Sequence, residues 1–118
     1  MLVRKSEIID ILSEVRLSST NEFMTGQGEV CAVGAIVKAL LPPGASLAEI
    51  QGASEANAPR ALAPRAMPYV HSGDYFSALS IHFENVMFHY DDVYSEEVRE
   101  ELLGFVHKNF PNEVSIAI

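Results

Sequence analysis

The chain contains one cysteine, Cys31, at the point where a helix is predicted to begin. A thiol in the first turn of a helix feels the positive end of the helix dipole, which lowers its pKa toward the nucleophilic thiolate. A catalytic thiol also needs a base. The order Cys31, then His71, His82 or His89, then Asp91 or Asp92 follows the Cys, His, Asp order of papain-like enzymes, and His89 or His82 is the preferred base. One hypothesis is therefore a cysteine-dependent hydrolase or transferase.

A structural role for the same cysteine is the preferred interpretation. Cys31, Gly34 and Ala35 are small residues at helical spacing, and such residues let a neighbouring helix approach closely. A glycine inside a helix costs roughly 1 kcal/mol relative to alanine, so a packing reason is expected for Gly34. We therefore expect Cys31 to lie unreactive in a helix contact.

The histidine spacing argues against a metal site. His82 and His89 would lie about 10 Å apart along a helix, too far to share one ion. His89 and Asp92 are close enough to act together, but Asp91 and Asp92 are better explained as the approach to a final helix. The sequence also has no HExxH, GxGxxG or P-loop motif. We expect neither a metal nor another cofactor.

The charge distribution indicates the kind of partner. The net charge of −8 repels a phosphate backbone, which argues against nucleic-acid binding. The acidic residues between positions 91 and 101 form either a solvated helix face or a docking surface for a protein with a basic surface. A proline-rich loop carrying two arginines is a second candidate surface. The predicted partner-binding residues are Asp91, Asp92, Glu96, Glu97, Glu100, Glu101, Arg60 and Arg65.

Length and composition indicate one globular domain over residues 1–118. The chain is 48% hydrophobic and 20% charged, which is ordinary for a folded protein. Its longest apolar run, residues 31–41, is interrupted by Lys38 and is shorter than the ~20 residues of a membrane span. No signal peptide is recognisable, and a single cysteine cannot form an internal disulfide. These features predict a cytoplasmic protein that does not bind membranes.

Hydrophobic periodicity predicts a mainly helical chain. The segment 30–41 is apolar on nearly all faces, which indicates a buried central helix. The spacing of Ser46 and Glu49 is that of a capping box. A strand remains an alternative at the end of the fourth helix, around VMFHY. The predicted helices cover residues 7–17, 30–41, 47–54, about four turns from Tyr75, and 96–110.

Three segments are predicted to be non-helical. The glycines at 26 and 28 favour either a small hairpin near residues 22–31 or a loop between helices. The tail 113–118 alternates in polarity like a short strand, with residues around Phe23 or Val30 as its expected partner. Prolines and alanines predict an exposed loop at about 55–70.

A resemblance follows from two motifs. The first is Cys31-Ala-Val-Gly-Ala, a C-x-x-G-A pattern, and the second is Glu96-Glu-Val followed by Leu102, an E-E-V-x-x-x-L pattern. The chain resembles a group of small uncharacterised bacterial and phage proteins that carry both. The resemblance implies a mostly helical domain with the C-x-x-G-A helix at its centre, and it implies no activity.

These observations predict a mainly α fold of four to five helices around helix 30–41, with one small β element. The preferred function is a small acidic, non-enzymatic protein-interaction or regulatory module, and a phage-derived inhibitor of a host complex is its specialised form. A homodimer formed by edge pairing of the tail is a further alternative.

Overall fold

The computed structural model describes residues 1–14, 31–58, 65–89 and 96–118. Within them the chain forms two short strands and six helices, which confirms the predicted mainly α fold with one small β element. The elements in chain order are β1 (Leu2–Arg4), α1 (Lys5–Glu14), α2 (Ala32–Leu40), α3 (Leu47–Asn57), α4 (Met67–His71), α5 (Tyr75–His89), α6 (Glu96–Asn109) and β2 (Glu113–Ser115).

Helix α2 lies at the centre of the fold, as its apolar sequence predicts. It contacts α1, α3 and α5, and every residue from Ala32 to Val37 is buried. The helix begins two residues later and ends one residue earlier than predicted. Its last turn is less buried than predicted, because Lys38 and Ala39 are exposed to solvent.

The amphipathic pattern of α6 is the one that the sequence predicts. Its buried residues recur every three or four positions and pack the helix against α1 and α5. The Arg99 guanidinium donates a 2.6 Å hydrogen bond from Nη1 to the carbonyl oxygen of Leu12, which fastens α6 to the end of α1. The buried residues of α6 are Val98, Leu102, Phe105 and Val106.

The tail forms a strand as predicted, and the partner that the structure describes for it is β1, which was not the predicted one. Strand β2 pairs with β1 in antiparallel register, with Val3 opposite Val114. Phe23 and Val30, and most of the hairpin predicted near 22–31, lie outside the described residues. Strand β1 was not predicted from the sequence, because the start of the chain is basic. Val3 is the one inward side chain of this strand, and it is 1% exposed.

The end of the tail is fixed by a side chain from α3. Asn57 donates from Nδ2 to the carbonyl oxygen of Ala117 and accepts at Oδ1 from the Ala117 amide, both at 2.8 Å. The side-chain amide of Asn57 thus makes the pair of hydrogen bonds to the Ala117 backbone that a residue of a neighbouring strand would make. Since these backbone groups of Ala117 are already paired, edge pairing of the tail with a second copy would have to use other positions.

Three predicted boundaries need correction. Helix α1 begins at Lys5 rather than at residue 7, because β1 leads directly into it. The predicted loop at 55–70 is too long at both ends, since α3 continues to Asn57 and α4 begins at Met67. Residues 59–64 of that loop lie outside the described part. The backbone stays helical through VMFH to His89, so the strand alternative there is wrong.

Among the described helices, none is both long and apolar enough to cross a membrane.

Candidate functional site

Cys31 is the N-cap of α2 rather than a residue of its first turn. Its Sγ accepts a hydrogen bond from the Gly34 amide at 3.3 Å, and the residue is 4% exposed. Burial raises the pKa of the thiol to about 11, because a thiolate loses its hydration in the core, and hydrogen bonds from the Gly34 and Val33 amides oppose this only in part. The thiol is protonated at neutral pH and has little access to a substrate, which favours the structural role.

Of the preferred bases and the two aspartates in the alternative catalytic set, only His82 has a described side chain. His89 is the last residue of α5, but its side chain lies outside the described part of the structure, as do Asp91 and Asp92. The side chain of His82 lines a groove along α6. No group of three or more histidine, cysteine, aspartate or glutamate residues suited to a metal ion occurs among the described residues.

An open groove lies between α5, α6 and the start of α4. Its volume is about 870 Å³, larger than that of the shallow hollow of about 350 Å³ beside Lys5 and Glu113. Most of the lining comes from one face of α6, which runs the length of the groove. That face consists of Glu97, Glu100, Glu101, Gly104, Phe105, Lys108 and Asn109.

The acidic half of this face contains three of the residues predicted to bind a partner. Glu97, Glu100 and Glu101 line the groove and are exposed. Glu96 is exposed as well, but it is absent from the lining and lies 3.7 Å from Arg99 Nε as an ion pair. The C-terminal half of the same face carries the opposite charge, because Lys108 also lines the groove.

The wall opposite α6 is formed by residues that precede and begin α4. Arg65 is exposed there, and Met67 is 45% exposed although it is a large apolar side chain. The structure thus brings Arg65 to the same groove as the glutamates of α6, although the sequence separates them by about thirty positions. Arg60, the other predicted arginine, lies outside the described residues.

His82 and Phe105 form the apolar floor of the groove. Their rings stack with centroids 4.3 Å apart and planes 16° apart. His82 Nε2 is buried and has no hydrogen-bond partner among the described residues. Burial lowers the pKa of His82, and the backbone hydrogen bond and the negative charge of Glu101 act in the opposite sense. The imidazole is therefore neutral at physiological pH and behaves as an aromatic floor residue.

Met67, Gly104 and Lys108 are among the groove residues that were not predicted from the sequence. Met67 belongs to a segment that reads as loop, and Lys108 reads as a favourable charge near the C-terminus of a helix. Gly104 could have been noticed in the sequence, because a glycine in the middle of a helix lowers the stability of that helix and therefore needs a reason.

Comparison with known proteins gives no match: no family model, no curated protein and no solved structure is significantly similar to this chain.

Proposed function

We propose that this protein is a non-enzymatic protein-interaction module and that the groove along α6 is its interaction surface. The observation that carries the proposal is the lining of the groove, where three exposed glutamates of α6 stand beside an apolar floor and an exposed methionine. Protein interfaces commonly combine an aromatic or methionine centre with a charged rim. Glu97, Glu100 and Glu101 form such a rim, and it favours positive groups on the partner.

The burial of Cys31 supports a non-enzymatic function. A nucleophilic cysteine needs access to a substrate and a thiolate at working pH. Cys31 is 4% exposed and its pKa is raised to about 11, so both conditions are unfavourable. Binding through the surface of the protein needs neither condition.

Charge reversal on two faces tests the proposal. The groove variant carries Glu97→Lys, Glu100→Lys and Glu101→Lys. The matched control carries Glu7→Lys, Asp10→Lys and Glu14→Lys on α1, where all three acidic side chains are also exposed. Both triple variants change the net charge equally, so they separate the effect of the groove from that of overall charge.

The measurement is a pull-down from cells that naturally make the protein, quantified by mass spectrometry for the wild type and both variants. We expect proteins captured by the wild type to be lost with the groove variant and retained with the α1 variant. Circular dichroism should confirm that both variants fold. Equal capture by the wild type and a folded groove variant would contradict the proposal.

A further inference from the structure

Gly104 lies in the middle of α6, exposed, on the face that lines the groove. Among the described residues, a Cβ atom added there would meet nothing within 4 Å. Glycine inside a helix costs about 1 kcal/mol relative to alanine, and no contact within the described part of the chain explains its presence here. A missing side chain on an exposed helix allows the backbone of another molecule to approach closely. Gly104 therefore points to a second backbone that packs across α6.

The charges around Gly104 define what that second molecule carries. Glu100 lies one turn before Gly104 and Lys108 lies one turn after it, and both line the groove. At about 100° per residue, the two side chains project within about 40° of the direction of Gly104, on opposite sides. A partner that is only basic would place like charge against Lys108. The complementary partner presents a positive group opposite Glu100 and a negative group opposite Lys108.

We propose that this partner is a second copy of the chain, whose α6 packs antiparallel to the first α6 about a two-fold axis at Gly104. The inference rests on the proposed function, because it names the partner of the same groove. The two-fold axis brings Glu100 of each copy against Lys108 of the other, so a single sequence supplies two identical ion pairs.

The balance of charge predicts a weak, reversible dimer. Two chains of charge −8 repel each other, but exposed charges farther apart than about 8 Å are largely screened at physiological ionic strength. The two ion pairs are at contact distance and are screened less. Exposed ion pairs contribute at most about 1 kcal/mol each, so most of the affinity must come from close packing at Gly104 and from the apolar floor.

A charge swap tests the arrangement, with the dimer dissociation constant measured by sedimentation velocity over a dilution series. Lys108→Glu and Glu100→Lys should each weaken dimerisation by about tenfold or more, because each change converts two attractive pairs into repulsive ones. The double variant restores opposite charges across the axis and should recover to within about threefold of the wild type. Glu7→Lys on α1 is the control and should leave the dissociation constant unchanged.

Disulfide trapping tests the position of the axis. A residue on a two-fold axis meets its own copy, so Gly104→Cys should form a covalent dimer under mild oxidation. Gly52→Cys is the matched control, because Gly52 is also an exposed helical glycine with no described atom within 4 Å of an added Cβ. It should remain monomeric in the same oxidation.

A wild type that stays monomeric at millimolar concentration, or a double charge-swap variant no better than the single variants, would overturn the inference. Equal trapping at positions 52 and 104 would overturn it too. None of these results contradicts the proposed function. That proposal fails only if a folded groove variant captures the same proteins as the wild type.

Discussion

The imidazole of His82 lies flat against the ring of Phe105, and this stacked pair joins α5 to α6 beneath the groove. Its buried Nε2 has no hydrogen-bond partner among the described residues, so protonation would place an unpaired N–H and a charge in a half-apolar site. The folded structure therefore favours the neutral imidazole.

This relationship predicts a loss of stability at acid pH. The folded-state pKa of His82 is lowered, so the unfolded chain binds the proton more readily. The contribution of His82 to the unfolding free energy is fully present above the unfolded-state pKa near 6.5. This contribution decreases as pH falls through that pKa toward the lower folded-state pKa. His82→Phe should give a smaller loss of unfolding free energy between pH 7 and pH 5 than the wild type, measured by urea denaturation. His71→Gln, a change at an exposed histidine, should follow the wild type, whereas parallel curves for all three proteins would contradict the prediction.

The Cys31 thiol predicts a loss of stability as pH rises into the alkaline range. Its folded-state pKa of about 11 lies above the ordinary value of 9.0, so the folded state holds its proton longer than the unfolded chain. The thiol contributes about 3 kcal/mol to the unfolding free energy below pH 9, and this contribution is lost as pH rises toward 11. Denaturation at pH 8, 9 and 10 should show this loss in the wild type and a smaller one in Cys31→Ser.

A second cysteine variant separates the cap from the thiol. Cys31→Ala removes the acceptor for the Gly34 amide and should lower the unfolding free energy by about 1 kcal/mol at pH 7. Cys31→Ser keeps an oxygen in the capping position and should be the more stable of the two. A serine variant less stable than the alanine variant would show that burial of the hydroxyl outweighs the cap.

Local signals account for what the sequence predicted well. The Ser46 hydroxyl accepts from the Glu49 amide at 3.1 Å, as the capping box predicts. The Glu49 carboxylate accepts at 3.2 Å from the Ser46 hydroxyl, whereas a full capping box would have it accept from the Ser46 amide. Both contacts lie within four consecutive residues. The buried stripe of α6 is likewise a property of one segment. Both predictions needed no knowledge of the rest of the fold.

Contacts between segments that are distant in the sequence could not be predicted in the same way. The pairing of Val3 with Val114 joins the two ends of the chain, and no local pattern in three residues specifies such a partner. The groove could not be predicted from a local pattern either, since His82 and Phe105 come from different helices and meet only when these helices pack together. The sequence could indicate the acidic face of α6, but only the fold places an aromatic floor and Met67 beside it.

Asn57 predicts a measurable role in holding the tail. Asn57→Asp removes the donor to the Ala117 carbonyl and places a carboxylate oxygen near it. The Ala117 amide, which donates to Oδ1, keeps an acceptor but loses its fixed geometry. We expect faster hydrogen exchange at Ala117 and a loss of about 1 kcal/mol in unfolding free energy. Unchanged exchange at Ala117 would show that pairing with β1 alone orders the tail.

The glycines allow a final prediction, in which four alanine substitutions divide into two classes. Gly52 and Gly104 lie inside helices, and no atom of the described residues lies within 4 Å of an added Cβ. Gly52→Ala and Gly104→Ala should therefore each raise the unfolding free energy by about 0.5–1 kcal/mol. Gly44 and Gly73 have φ of +86° and +83°, where a Cβ is strained, so alanine there should be destabilising. The four variants should be compared by denaturation at micromolar concentration, where a weak dimer dissociates. A Gly104→Ala variant that is less stable than the wild type there would mean that this glycine serves the fold itself, and its use as a contact for a second molecule would lose its basis.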